Sequence, residues 1–277
     1  MRAEVRSMQR AGVRVGVVPT MGALHAGHLS LVQLAKKSCA QVVTTIFVNP
    51  TQFGPQEDFS RYPRTLDEDL RLLAEVGCSY VFVPSKDEVY PSGFSTSVEP
   101  PAVARRWEAE CRPGHFRGVA TVVLKLLNMI PADVAIFGRK DYQQAAVIQQ
   151  MVRDLNVATQ IEIAPIVRDA DGLALSSRNQ YLSPAERQRA LALSQSLRIA
   201  ANAVQAGETC ANTIAALIGE TLRPQVDAID YVAVADGETL EPVETIAPNT
   251  VILLAAKIGN TRLIDNCVVS PGKAALI

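Results

Sequence analysis

Through its first 167 residues the chain alternates short β-branched runs with amphipathic stretches of helical period, and that rhythm permits few folds. A strand, a helix and a second strand running the same way form the unit of a parallel sheet covered by helices. The pattern predicts strands at residues 13–18, 42–48, 80–83, 133–137 and 161–167, with helices at 29–37, 66–76, 121–130 and 142–155. The first strand is followed by Pro19-Thr20-Met21-Gly22-Ala23-Leu24-His25-Ala26-Gly27-His28, and the second by Asn49-Pro50-Thr51-Gln52-Phe53-Gly54. After the fourth comes Gly138-Arg139-Lys140-Asp141, and after the fifth Arg168-Asp169. Glycines and polar side chains thus collect at the carboxyl ends of parallel strands, where open α/β sheets bind ligands. These four segments are expected to converge on one crevice.

An irregular segment over residues 169–181 ends this rhythm. Ser183-Pro184-Ala185-Glu186 then supplies a helix cap, a proline in the first turn and an acid three residues beyond the serine, which is a capping box. An alanine-rich helix is predicted to Gln205 and stops at Gly207; a second follows at 213–222, then strands at 231–234, 251–255 and 263–265. The expected architecture is α/β: a Rossmann-like parallel-sheet domain over residues 1–170 and a smaller C-terminal α+β domain over 171–277.

Hydrophobic residues make up 48% of the 277 and charged residues 20%, enough for a sizeable packed core. The net charge of −1, with arginines scattered, argues against a nucleic-acid partner as large as tRNA, which normally leaves a basic face. Five cysteines without metal-ligand spacing read as reduced, mostly buried thiols of a cytoplasmic protein, and zinc is not expected. Residues 1–10 are charged and lack an apolar segment, so no signal peptide is expected, and no run reaches the length of a membrane span.

His25 and His28 are two of only three histidines, placed where a strand turns into a helix. A helix N-terminus offers backbone N–H groups and a positive dipole end, a setting that suits phosphate. Imidazoles add donors that can follow charge building on a phosphoryl group. No G-x-G-x-x-G or G-K-[ST] run is present, so this is neither a dinucleotide fingerprint nor a P-loop. The plain alternative is a turn carrying two solvated histidines. Lys140 at a strand-to-helix turn can pair with phosphate as a mobile charge. Asp141 has three readings: a helix cap, a ribose partner or a magnesium ligand. Gln144, four residues beyond Lys140, is expected on the same helix face.

Several longer segments join these clusters: Ile46-Phe47-Val48-Asn49-Pro50-Thr51-Gln52-Phe53, Arg61-Tyr62-Pro63-Arg64-Thr65, Arg112-Pro113-Gly114-His115-Phe116-Arg117-Gly118-Val119, Lys140-Asp141-Tyr142-Gln143-Gln144 and Asp171-Gly172-Leu173-Ala174-Leu175-Ser176-Ser177-Arg178-Asn179. Together and in this order, over nearly the whole chain, they resemble the pantothenate synthetase family, the branch of the nucleotidyltransferase superfamily with a His-x-Gly-His signature. The resemblance implies condensation of pantoate with β-alanine at the expense of ATP, giving pantothenate, AMP and pyrophosphate. Pantoate first attacks the α-phosphorus to form pantoyl adenylate; the β-alanine amine then expels AMP.

By the same resemblance, His25, His28, Lys140 and Arg178 form the catalytic set, with His28 usually given the proton-donor role. ATP is expected against Met21, Gly22, His25, Gly27, His28, Gly138, Lys140, Asp141, Val167, Leu175, Ser176, Ser177 and Arg178. Gln52 and Gln144 match the glutamines that hold pantoate, and Gln52 also lies near β-alanine. Mg2+ travels with ATP, and no protein ligand for it is singled out. A homodimer is the family expectation, with no nucleic-acid or membrane partner. The Pro/Gly-rich segment around His115 reads as a mobile covering loop, with Arg112 in reach of a phosphate.

This chain departs from the family at Arg139, where an acid is usual, in the stretch 106–111, and at its start, where relatives carry an extra strand-like segment. Either that strand is missing or the true start lies upstream. Three rivals remain open on sequence: a nucleotidylyltransferase acting on a phosphorylated acceptor, an aminoacyl-tRNA synthetase, and a non-enzymatic nucleotide sensor.

Overall fold

A computed structural model describes residues 1–55, 57–273 and 275. In chain order the elements begin with α1 (Arg2–Arg10), β1 (Val15–Thr20), α2 (Ala26–Ser38), β2 (Gln41–Ile46), α3 (Leu66–Glu75) and β3 (Tyr80–Phe82). Then come α4 (Lys86–Val89), α5 (Glu108–Cys111), α6 (His115–Met129), β4 (Val134–Gly138), α7 (Tyr142–Asp154) and β5 (Gln160–Ala164). The remainder comprises α8 (Pro184–Gln205), α9 (Ala211–Leu222), β6 (Ala228–Asp236), β7 (Thr250–Ile258) and β8 (Thr261–Val269).

The chain divides into two compact units, Met1–Arg139 with Gln144–Ala164, and Lys140–Gln143 with Pro165–Ile277. In the first, five parallel strands take the order β3-β2-β1-β4-β5. Val15, Val17 and Val18 of β1 and Val134, Ala135 and Ile136 of β4 are all buried, the continuous apolar run of strands covered on both faces. The chain winds outward from β1 to β3 and then returns to place β4 on β1's other edge. That reversal makes the β1–β4 boundary a topological switch point.

The second unit pairs β6, β7 and β8 as an antiparallel sheet. Leu193 and Leu197 of α8 and Ile214, Ile218 and Leu222 of α9 share a buried core with Ile252, Leu254 and Ile258 of β7. Ser183 and Glu186 form the reciprocal capping box expected for α8. Among the described residues no helix is long and apolar enough to cross a membrane.

The fold class agrees with the expected one, and the element ends differ for identifiable reasons. β5 stops at Ala164 rather than 167 because Pro165 has no N–H for the ladder. α2 starts at Ala26, three residues before the predicted 29, because the His25 side chain caps it. The segment read as a mobile loop is helical from His115 onward, and His115 and Phe116 are buried. The thiols are also less hidden than expected: Cys39 and Cys267 are buried, but Cys111 and Cys210 are exposed.

Gly118 lies inside α6. A Cβ at this position would lie 2.3 Å from the Thr51 carbonyl oxygen and 2.7 Å from the Gln52 nitrogen. The glycine therefore lets α6 meet the backbone of the 3-10 turn Pro50–Gln52 directly. Gly118→Ala is expected to cost about 1–3 kcal/mol by forcing these backbones apart, measured as a lower urea midpoint at unchanged slope.

Candidate active site

The turn after β1 is held from within. Ala23 sits in the left-handed region at φ +50°, an uncommon place for a residue with a Cβ. Its N–H donates to Oδ2 of Asp69 at 3.0 Å, and the Leu24 N–H donates to Oδ1 at 2.8 Å. Asp69 is buried on α3 and also accepts from the Thr65 hydroxyl at 3.2 Å. Gly22, at φ +81°, has no room for a Cβ, which would fall 2.9 Å from that same carboxylate. The turn thus leads the chain into α2 with one side chain bracing two consecutive amides.

His25 caps α2, its Nδ1 accepting from the Gly27 N–H at 3.2 Å, which leaves the ring proton of neutral His25 on Nε2. His28 lies in the first turn, its N–H bonded to the His25 carbonyl at 2.8 Å. The two rings stack with centroids 4.1 Å apart and planes 37° apart. The amides of Gly22, Ala23, Leu24, Gly27 and His28 all donate within the protein. The sequence reading of a bare amide cradle therefore needs correction: this turn presents imidazoles in place of a row of backbone donors.

The β2 end meets the same turn. Asn49 is buried, and its Oδ1 accepts from the Tyr90 hydroxyl at 2.8 Å. Its Nδ2 donates to Gln52 Oε1 at 3.0 Å and to the Gly118 carbonyl at 3.2 Å. With its oxygen engaged, buried Gln52 turns Nε2 towards the Met21 sulfur, 3.3 Å away. Burial raises the Tyr90 hydroxyl above its usual value, which keeps it a donor. The amide orientation of Gln52 follows from this chain of partners.

On the far side of Gln52 stands His115, its Nδ1 2.9 Å from the Gln52 carbonyl oxygen and its Nε2 3.2 Å from an Arg112 Nη1. Burial, reinforced by the adjacent guanidinium, pushes the imidazole down to about 4. Arg112 also makes a two-pronged ion pair with Glu57, Nη2 to Oε2 at 2.5 Å and Nε to Oε1 at 3.0 Å. Burial alone raises the Glu57 carboxyl, but Arg112 outweighs it and holds the group below its ordinary value. Arg112 is engaged in this network by Glu57 and His115.

Gly138 ends β4, and a Cβ there would meet nothing within 4 Å. Lys140 and Asp141 lie in a 3-10 turn, Arg139–Asp141, so α7 begins only at Tyr142. The helical spacing argument for Lys140 and Gln144 therefore fails; Gln144 is half-buried in the first unit. Lys140 and Asp141 belong to the second unit, where Asn266 Nδ2 donates to the Lys140 carbonyl at 2.9 Å and the Tyr142 hydroxyl to Gly237 at 2.8 Å. Lys140 Nζ and Asp141 Oδ1 are 3.9 Å apart, a loose pair.

In the same unit, the Leu175 N–H bonds the Val167 carbonyl at 3.0 Å. Ser176 caps the 3-10 turn Ser177–Tyr181, its hydroxyl accepting from the Arg178 N–H at 3.3 Å. Beneath them Arg168 grips buried Asp265 bidentately at 2.7 and 2.9 Å. The segment read as irregular is thus a hairpin-like bridge, Arg168 to Ala174, followed by an ordered turn.

Asp69, Asn49 and Tyr90 were not identified from sequence. Asp69 looks like an ordinary acid in a first helical turn, 45 residues from the amide of Leu24 that it holds. Asn49 carried the one available signal, an Asn-Pro step at a strand end, but that reads equally well as a plain turn.

A family model described as Pantoate-beta-alanine ligase matches residues 1–268. Pantothenate synthetase of Rhodopirellula baltica is 51% identical over 269 residues, covering 96% of this chain and 95% of that protein. That of Moorella thermoacetica is 48% identical over 273 residues, covering 97% and 95%. Among solved structures, pantothenate synthetase of Thermus thermophilus superposes with a TM-score of 0.91 at 43% identity, covering 98% of both chains. Pantoate-beta-alanine ligase of Francisella tularensis, complexed with beta-gamma ATP and beta-alanine, gives 0.79 at 35% identity, covering 96% and 95%.

Asp69→Ala removes the acceptor of the buried Leu24 amide and of the part-buried Ala23 amide and is expected to cost about 2 kcal/mol, with Asp69→Asn losing less because one acceptor survives. Urea unfolding of the two variants checks the order.

Proposed function

The chain belongs to the pantoate-beta-alanine ligase family, and we infer that it condenses pantoate with β-alanine, converting ATP to AMP and pyrophosphate through pantoyl adenylate. The observation that carries the residue assignment is the Met21–Gln52 contact at 3.3 Å, which ties the histidine turn to the glutamine suited to the acid substrate. Gln52 offers Nε2 as a donor to an oxygen of pantoate, with Gln144 as the second amide. Attack on the α-phosphorus concentrates negative charge on its oxygens. His25 and His28 supply donors there, with Lys140 and Arg178 as further cations and the Ser176 and Ser177 hydroxyls as partners for phosphate oxygens. His28 is assigned the proton-donor role of the family.

Met21, Gly22, Gly27, Gly138, Asp141, Val167 and Leu175 complete the ATP-binding set. The open space at Gly138 suits backbone approach by the nucleotide. Mg2+ would arrive with ATP, carried by phosphate oxygens and water, with Asp141 as a candidate carboxylate for it. When bound, the ion neutralises phosphate charge. A cytoplasmic homodimer without nucleic-acid or membrane partners completes the proposal.

AMP release measured with ATP and pantoate, with and without β-alanine, tests the reaction. AMP formation that depends on β-alanine is the expected result; pyrophosphate without AMP would point to the nucleotidylyltransferase instead. His28→Ala and Lys140→Ala are each expected to slow AMP formation at least about tenfold, or ~1.4 kcal/mol of transition-state stabilisation, while circular dichroism shows a folded chain.

A further inference from the structure

We propose that His115 is a positioning residue: held as the Nδ1–H tautomer, it grips the backbone carbonyl of Gln52 and so aims the Gln52 amide at the acid substrate. This rests on the assignment of Gln52 to pantoate. Gln52 is restrained at both ends. Asn49 holds its side-chain oxygen at 3.0 Å, and His115 holds its main-chain oxygen at 2.9 Å. Without the second grip the 3-10 turn Pro50–Gln52 could rotate about its contact with Gly118 and carry Nε2 away from Met21.

The position demands a group that donates on one side and accepts on the other. The Gln52 carbonyl can only accept, so Nδ1 must carry hydrogen; the Arg112 guanidinium can only donate, so Nε2 must be bare. Among histidine forms only the neutral Nδ1–H tautomer satisfies both. Protonation would set an imidazolium 3.2 Å from a guanidinium. Glu57, which faces Arg112 at 2.5 Å, and Glu108, at 3.8 Å, balance the arginine and keep it fixed against the ring. His115 is itself buried and points its polar atoms at protein partners, which separates it from groups that touch substrate.

Asparagine and glutamine distinguish positioning from general support. The asparagine Nδ2 sits on Cγ, as the histidine Nδ1 does, and can reproduce the donor to Gln52; the glutamine amide nitrogen mimics Nε2 and cannot. In steady-state assays, His115→Asn is expected to keep the KM for pantoate within about threefold. His115→Gln and His115→Ala are expected to raise it about tenfold or more with the KM for ATP nearly unchanged. Long-range 15N NMR of the wild-type imidazole is expected to show a neutral Nδ1–H ring from pH 8 down to about 5.5, since burial disfavours the charged form.

An unchanged pantoate KM in His115→Ala, equal losses in the Asn and Gln variants, or an Nε2–H or charged ring at pH 7 would overturn the proposal. Wild-type chain that makes no β-alanine-dependent AMP would instead remove the functional reading on which it stands, and the proposal with it.

Discussion

Backbone hydrogen bonds from β1 run to β2 along one edge and to β4 along the other, and the chain reaches those neighbours by winding in opposite directions. Helices covering the two halves diverge at such a reversal, and the strand ends there stay accessible. The segments leaving β1, β2 and β4 are the ones that carry the histidine turn, the Asn49–Gln52 turn and the Gly138 terminus. An extra strand pairing between β1 and β4 would change all three at once. The rest of the chemistry is elaboration on this one reversal.

That elaboration works by using polar groups internally before any ligand arrives. Asp69 takes two amides of the turn, His25 caps its own helix, Asn49 fixes the Gln52 oxygen and His115 fixes the Gln52 carbonyl. Each bond removes a rotational freedom that would otherwise be lost on binding. The groups left to meet charge are side chains of defined orientation, the geometry required for stabilising a transition state without reorganisation. Arg112 illustrates the converse: it is a cation held by Glu57, Glu108 and His115, its donors spent within the protein.

The parallel sheet, the α+β character of the C-terminal part, the capping box of α8 and the histidine turn were all readable from the chain. Each depends on residues within one turn or one strand of each other, so period and local chemistry suffice. Reading failed where a distant element reassigns a residue. Pro113 and Gly114 mark a loop by sequence, yet α6 starts at the next residue, His115, and Gly118 within it has no Cβ to hold off the Thr51 backbone. Lys140 and Gln144 looked like one helix face, yet the turn before Tyr142 is tighter than an α-helix and changes their spacing.

Composition and period by themselves determined the class of fold, the succession of its strands and longer helices from β1 onward and which segments carry reactive side chains, because hydrophobic patterning and helix capping act over a few residues. Only the tertiary structure decided which hydrogen-bonding atoms remain for chemistry. Asp69 and Leu24, Asn49 and Gly118, and Gln52 and His115 are 45, 69 and 63 residues apart, and nothing local couples them. Their pairing follows from burial, where a polar atom cut off from water must find a partner within the fold.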